Sequence, residues 1–156
     1  MSALRNSFSS LLSEHADLEA LFNTHQRALM TRDLEPALGA IVKFENLLKQ
    51  HIAFEEEVLL PIYNAKRLQT LGGTVPIFQA EHRKLVQFIA KLTRYTEALP
   101  ESSDILGSIL KLLEEEAMFK GLLHHHSLRE KNLLFPRLDA YTSEPEREKA
   151  WSRHAA

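Results

Sequence analysis

The chain has 156 residues, of which 44% are hydrophobic and 26% are charged, a composition typical of a folded globular domain. Its formal net charge of -2 excludes the strongly basic footprint of a protein that binds nucleic acid or an anionic membrane. The absence of cysteine excludes disulfides, thiolate metal sites and iron–sulfur ligation by this chain. No apolar run approaches the length of a membrane span, so we expect one cytoplasmic domain over residues 1–156.

Apolar residues recur at three- and four-residue steps along four segments, which predicts four long helices. Gly72 and Gly73 form the clearest break in the chain, and Pro61 is expected to kink or end the second helix. The predicted helices cover residues of about 4–31, 34–63, 75–99 and 103–135.

A short fifth helix is expected over about 144–153, where it would carry Trp151, and the sequence assigns this C-terminal segment no role. No segment alternates with a period of two, so strands are not expected. Four helices joined by short connections predict an all-α fold, an up-down-up-down antiparallel four-helix bundle. The similarity between the two halves of the chain predicts an approximate internal twofold.

A histidine followed by a glutamate at the fourth position and a proline at the tenth occurs in both halves. It runs from His51 to Pro61 and again from His126 to Pro136. Residues four apart lie one above the other on a helix, so each histidine and its glutamate can reach one point. A shorter phrase, Glu-His-x-x-Leu, places His15 in the first helix and His82 in the third.

These four histidines are predicted to lie in one layer of the bundle. His15 and His82 are about seven to nine residues after the start of their helices, and His51 and His126 are about ten residues before the ends of theirs. In an antiparallel bundle these positions coincide to within about one turn, because a helix rises about 1.5 Å per residue. The predicted inward-facing metal ligands are His15, His51, Glu55, His82, His126 and Glu130.

Four imidazoles and two carboxylates can hold two divalent ions, with both glutamates bridging. The repeat assigns His15 and His51 to one ion, and His82 and His126 to the other. Nitrogen and oxygen donors without sulfur suit iron, manganese or zinc, in that order. Two bridging carboxylates and a bridging oxygen would leave open coordination positions, which indicates small-molecule chemistry rather than a closed structural site. The alternative is a buried histidine–glutamate hydrogen-bond network without metal.

Other polar residues near this layer are expected to lie outside it. His124 and His125 point about 100° and more away from His126, which places them at the surface or rim. His25 lies about 15 Å along the first helix from His15 and is also expected at the surface. Two further acidic residues without a histidine partner are expected to face solvent or the rim, namely Glu56 and Glu57.

Two glutamates lie one residue before an inward-facing histidine. Glu14 and Glu81 are expected to accept a hydrogen bond from a neighbouring imidazole N–H. Apolar residues around the layer are expected to form core and a dry wall that admits only small uncharged ligands such as O2 or NO. These residues are Phe22, Phe78, Leu85, Phe119 and Leu122.

The doubled histidine–glutamate phrase resembles the hemerythrin-like, HHE cation-binding family from His15 to Pro136, nearly the whole chain. The resemblance implies a four-helix bundle with a non-haem di-iron centre, held by the six ligands above, that binds O2 or reacts with NO or peroxide. Val86 stands where oxygen-carrying hemerythrins have a second histidine on the third helix, and Glu130 stands where they have an aspartate. The ligand set is more similar to that of the iron–sulfur-cluster repair di-iron proteins.

The leading expectation is a protein with two iron ions that binds or reduces a diatomic ligand or peroxide in oxidative or nitrosative stress or in iron homeostasis. The alternatives are a sensor or store of O2, redox state or iron without turnover, and a zinc-filled structural bundle. Whether the chain is an enzyme, which electron donor it uses and whether it forms a homodimer stay open. Ferritin-like di-iron oxidases rank lower, because they use a Glu-x2-His spacing instead of His-x3-Glu.

Overall fold

The computed structural model describes residues 4–154 of the chain. Its α-helices within that range are α1 (Leu12–Met30), α2 (Leu34–Phe54), α3 (Leu60–Ala65), α4 (Val75–Ala98), α5 (Ile105–Arg129), α6 (Phe135–Tyr141) and α7 (Glu144–Trp151). No β-strand occurs in this part of the chain, where the nearest feature is one isolated bridge between Thr70 and Gly73. None of the helices described for residues 4–154 is long and apolar enough to cross a membrane.

Four rods make up the bundle, and they pack in the cyclic order α1, α2, α4 and α5. The second rod continues from α2 into α3 and the fourth continues from α5 into α6, in each case through a short π-helical turn. The prediction of an all-α, up-down-up-down antiparallel four-helix bundle is therefore confirmed.

The two π turns cover Glu55–Leu59 and Glu130–Leu134, so each begins at a glutamate of the repeated phrase. In both turns the closing N–H bonds to the carbonyl five residues back, which inserts one extra residue and widens the backbone. The α-helical hydrogen bonding of the second rod is interrupted at Glu55–Leu59, just before Pro61, and the expectation that Pro61 itself kinks the rod stays a prediction. Pro61 and Pro136 fall in the first turn of α3 and α6, where the missing N–H and the ring are tolerated.

The apolar core divides into two clusters on either side of the histidine layer. One cluster includes Phe22, Phe44 and Phe119, and the other includes Tyr63 and Phe135. A buried polar layer between two apolar clusters is shielded from water along the bundle axis.

Leu122 is 40% exposed, so its predicted place in the apolar wall is wrong. The inward stripe of α5 passes from Phe119 through the partly buried Leu123 to His126, because three- and four-residue steps follow the helix turn. The other four predicted wall residues are buried: Phe22, Phe78, Leu85 and Phe119.

The C-terminal helix α7 closes the end of the bundle nearest the histidine layer. A capping box between Ser143 and Glu146 starts α7, and the buried Arg147 donates a hydrogen bond to the Arg5 carbonyl. The Trp151 ring stacks with Phe54 at a centroid distance of 5.4 Å. The C-terminal segment thus holds the N-terminal segment of the chain and the second helix together.

Candidate metal centre

All six predicted ligands lie together in one layer. The first and third rods supply one ligand each, and the second and fourth rods supply two each. His15 comes from α1 and His82 from α4. The second rod supplies His51 from α2 and Glu55 from the first residue of its π turn, and the fourth rod supplies His126 and Glu130 in the same way. Both glutamates are fully buried and the histidines are buried or nearly so.

The histidines form two close pairs. The Nε2 atoms of His15 and His51 are 3.2 Å apart, and the centroids of these two rings are 4.9 Å apart. The ring centroids of His82 and His126 are 4.7 Å apart. The pairing is the one that the sequence repeat predicts.

Glu130 lies between the two pairs and turns one oxygen toward each. Its Oε1 is 2.9 Å from His15 Nε2 and 3.6 Å from His51 Nε2. Its Oε2 is 3.1 Å from His126 Nε2 and 3.8 Å from His82 Nε2. A carboxylate with one oxygen on each side has the geometry of a bridge between two cations.

Glu55 also spans the two pairs, but through a single oxygen. Its Oε1 is 3.2 Å from His51 Nε2 and 3.4 Å from His82 Nε2. Together the two carboxylates contact all four histidines.

The close approaches between the Glu55 and Glu130 oxygens and the imidazoles are not hydrogen bonds. Among the described residues, both carboxylate oxygens of Glu55 and of Glu130 are buried without a hydrogen-bond partner, as are Nε2 of His82 and Nε2 of His126. Buried polar atoms normally find partners, so six unpaired atoms in one layer indicate that their lone pairs converge on common points.

The ligand atoms of Glu55, His82, His126 and Glu130 all lie within 4.8 Å of one another, as do those of His15, His51 and Glu130. The donor set therefore fits two divalent ions with nitrogen and oxygen ligands.

Three of the histidines are oriented by a glutamate on their outer side. The Nδ1–H groups of His51, His82 and His126 donate to glutamate oxygens, each at 3.0 Å. The acceptors are Glu14, Glu56 and Glu81 respectively. A donating Nδ1–H leaves the Nε2 lone pair free to face inward, which is the tautomer that a metal ligand needs.

The prediction that Glu14 and Glu81 accept imidazole hydrogen bonds is thereby confirmed. The side chain of Glu56 is 37% exposed, which agrees with its predicted place at the rim, but its carboxylate also accepts a hydrogen bond from His82 that was not predicted. No spacing within the second helix reveals this contact, because it depends on how α2 and α4 are rotated against each other.

Burial and neighbouring charges shift the pKa values of the residues in this layer. Burial and the neighbouring His51 lower the pKa of His15 from 6.5 to about 4, so this imidazole is neutral at neutral pH. Burial alone would raise the pKa of Glu55, but His51 and His82 lower it from 4.5 to about 2. Burial lowers the pKa of His51 and His82, but Glu55 and the outer glutamates Glu14 and Glu56 outweigh it and raise both, so the negative charge of Glu55 is balanced by these two imidazoles until a cation takes their place.

His25 is fully buried, so its predicted surface position is wrong. Its Nδ1–H donates to the Ala37 carbonyl at 2.8 Å, and its Nε2 is 2.6 Å from Glu116 Oε2. The inward stripe of the first helix contained the signal, because position 25 follows Phe22 by three residues. His124 and His125 are exposed, as predicted.

A family model described as Hemerythrin HHE cation binding domain matches residues 73–156, just over half of the chain. This span includes His82, His126 and Glu130 but begins after the other three predicted ligands. The searches of curated proteins and of solved structures found no match.

Proposed function

The chain belongs to the hemerythrin HHE cation-binding domain family, and on that premise we propose that it is a non-haem di-iron protein that binds or reduces O2, NO or peroxide. One metal would be held by His15 and His51, the other by His82 and His126, with Glu55 shared. The observation that carries the proposal is Glu130, whose two unpaired oxygens face the two histidine pairs separately.

Iron bound in this layer would supply reversible redox chemistry toward small oxidants, and the chain's own residues set the conditions for it. The Nδ1 hydrogen bonds to Glu14, Glu56 and Glu81 fix the direction in which three imidazoles point. Ligands held in this way need little rearrangement when the ions bind or change charge.

The apolar clusters on both sides of the layer select the molecules that can enter. Phe22, Phe78 and Phe119 are at most 3% exposed, and their apolar rings along the bundle axis disfavour entry of a hydrated anion or a polar substrate, which would lose its water without gaining partners. Access is easiest beside His15, whose side chain is 14% exposed, whereas that of His51 is 2% exposed. The adjacent helices α1 and α5 also pack together less extensively than the other neighbouring rods.

A sensor of O2 or redox state without turnover is a second candidate, because one ligand is linked to the C-terminal segment. Glu14 accepts from His51 Nδ1 on one side and is 2.7 Å from His154 Nε2 on the other. His154 in turn packs edge-on against Trp151, with ring centroids 4.9 Å apart. A change of charge at the metals would alter the hydrogen bond of His51 to Glu14 and, through Glu14, the contact that holds His154 and the C-terminal segment.

The two candidates differ in whether the small molecule is consumed. Protein loaded anaerobically with Fe(II) is mixed with O2, NO or peroxide, and substrate loss and the visible spectrum are followed over several equivalents with an added reductant. Loss of many equivalents per chain indicates turnover, whereas one stoichiometric spectral change with altered C-terminal proteolysis indicates sensing. Iron-loaded protein that shows neither response would contradict both.

A further inference from the structure

The two halves of the internal repeat differ at the position that follows the glutamate of each half. Glu55 of the first half corresponds to Glu130 of the second, and the next residue is Glu56 in one half and Lys131 in the other. Glu56 accepts the Nδ1–H hydrogen bond of His82. The residue related to His82 by the repeat is His15, so Lys131 stands where an acceptor for His15 would be.

His15 consequently differs from the other three histidines. Within residues 4–154 no glutamate accepts a hydrogen bond from its Nδ1, whereas each of the others has one at 3.0 Å. Lys131 is exposed, and an ammonium group has no lone pair to accept with. The His15 side chain is also the most exposed of the four, at 14% against 2–3%.

The partner of His15 is held less firmly as well. His51 bonds to Glu14, and Glu14 is in turn contacted by His154, the last residue that the structure describes. The related glutamate, Glu81, is held by the permanently charged Arg129, whose Nε lies 3.2 Å from both carboxylate oxygens. Arg129 is itself anchored on the Gly72 carbonyl.

Outer hydrogen bonds of this kind orient the imidazole and raise its basicity, and their loss typically weakens metal binding about 10- to 100-fold. We propose that the two metal positions are unequal: the ion held by His15 and His51 is the weaker and exchangeable one, because Lys131 leaves His15 without an outer carboxylate. This inference rests on the proposed two-metal function and assigns to one position the role of losing and regaining its ion.

The test uses the full chain loaded with two Zn(II) ions, a metal without redox chemistry, and then challenged with an excess of a coloured chelator. We expect two release phases of one ion each, separated about 10- to 100-fold in rate. Lys131→Glu should slow the fast phase toward the slow one, because the new carboxylate takes the place relative to His15 that Glu56 has relative to His82. Glu56→Met should accelerate the slow phase and leave the fast one unchanged.

Two matched variants separate the hydrogen bond from charge. Lys131→Met removes the ammonium without adding an acceptor, and Asn132→Glu adds a carboxylate at an exposed neighbouring position about 100° around the helix from Lys131. Both should leave the fast phase within about twofold of the wild type, a small change beside the 10- to 100-fold effect of the hydrogen bond. If Asn132→Glu slows release as much as Lys131→Glu, the inference is overturned in favour of general electrostatics.

Release of both ions in a single phase would refute the inference that the two positions bind their ions unequally, without contradicting the proposed two-metal function. The same holds if Lys131→Glu does not change the fast phase. A protein that takes up no tightly held metal in the wild type or in any variant would overturn the proposed function, and this inference with it.

Discussion

Replacing Glu130 with glutamine should lower the affinity for both metal ions at once, because each of its oxygens faces a different histidine pair. Glutamine keeps the size of the side chain and the π turn that begins at this residue. It removes the negative charge and turns one of the two oxygens into an NH2 group that cannot bind a cation. Replacing a terminal ligand such as His15 would directly lower the affinity for one ion only. The effect of Glu130→Gln on both ions therefore distinguishes a bridging ligand from a terminal one.

The effect can be estimated from the linkage between binding and folding. An ion present at 100 times its dissociation constant stabilises the folded state by about 2.7 kcal/mol, and a 100-fold loss of affinity leaves about 0.4 kcal/mol. Loss at both positions therefore removes about 5 kcal/mol of metal-dependent stability. For a domain of this size that corresponds to a fall of about 10–20 °C in Tm.

The assay is thermal unfolding of the metal-free and metal-loaded forms, together with the metal content of both. The control is Glu116→Gln, which changes the buried carboxylate that pairs with His25 away from the metal layer. The control should lose about 1–3 kcal/mol in both forms and keep its metals. If Glu130→Gln keeps two metals and the same Tm difference between the two forms, Glu130 is not a bridge.

Further predictions concern the metal-free protein and the end of the bundle. The pKa of His15 is about 4 and that of Glu55 about 2, each below its unfolded value of 6.5 or 4.5, so the unfolded chain binds more protons in these windows. The contribution of these two groups to the free energy of unfolding should therefore fall as the pH is lowered from about 6.5 toward 2, measured by urea unfolding at fixed pH values. Asp139→Ala should cost about 1–3 kcal/mol in the same assay, because this carboxylate accepts hydrogen bonds from Ser7, Phe8 and Ser9 at the start of a 3-10 helix that covers Phe8–Leu11. Trp151→Ala should cost about 2–3 kcal/mol, less than a fully buried tryptophan, and an unchanged urea midpoint would show that α7 does not secure the bundle.

The sequence was sufficient for the bundle because the same information is repeated in every turn of four helices. The inward stripes at three- and four-residue steps place His51 beside Glu55 and His126 beside Glu130 without knowledge of tertiary contacts. The π turns were not predictable in this way. They add one residue immediately after the glutamates, and the nearby prolines indicate only that the regular backbone cannot continue unchanged.

Contacts between helices account for what the sequence did not reveal. His25 and Glu116 are 91 residues apart, and each polar residue alone is more often found at the surface than in a core. Glu56 lies in the π turn that follows α2, with a side chain 37% exposed, and only the rotation of the second rod against α4 brings its carboxylate to His82. Such pairings depend on tertiary geometry, for which a single sequence contains no periodic signal.

We propose that this layer holds two iron ions, and the most direct test is the metal content of protein reconstituted anaerobically with Fe(II). Its absorption spectrum is then compared before and after exposure to air. We expect two irons per chain and new visible bands from a ferric centre. Absence of iron uptake, or zinc that iron cannot displace, would contradict the di-iron assignment.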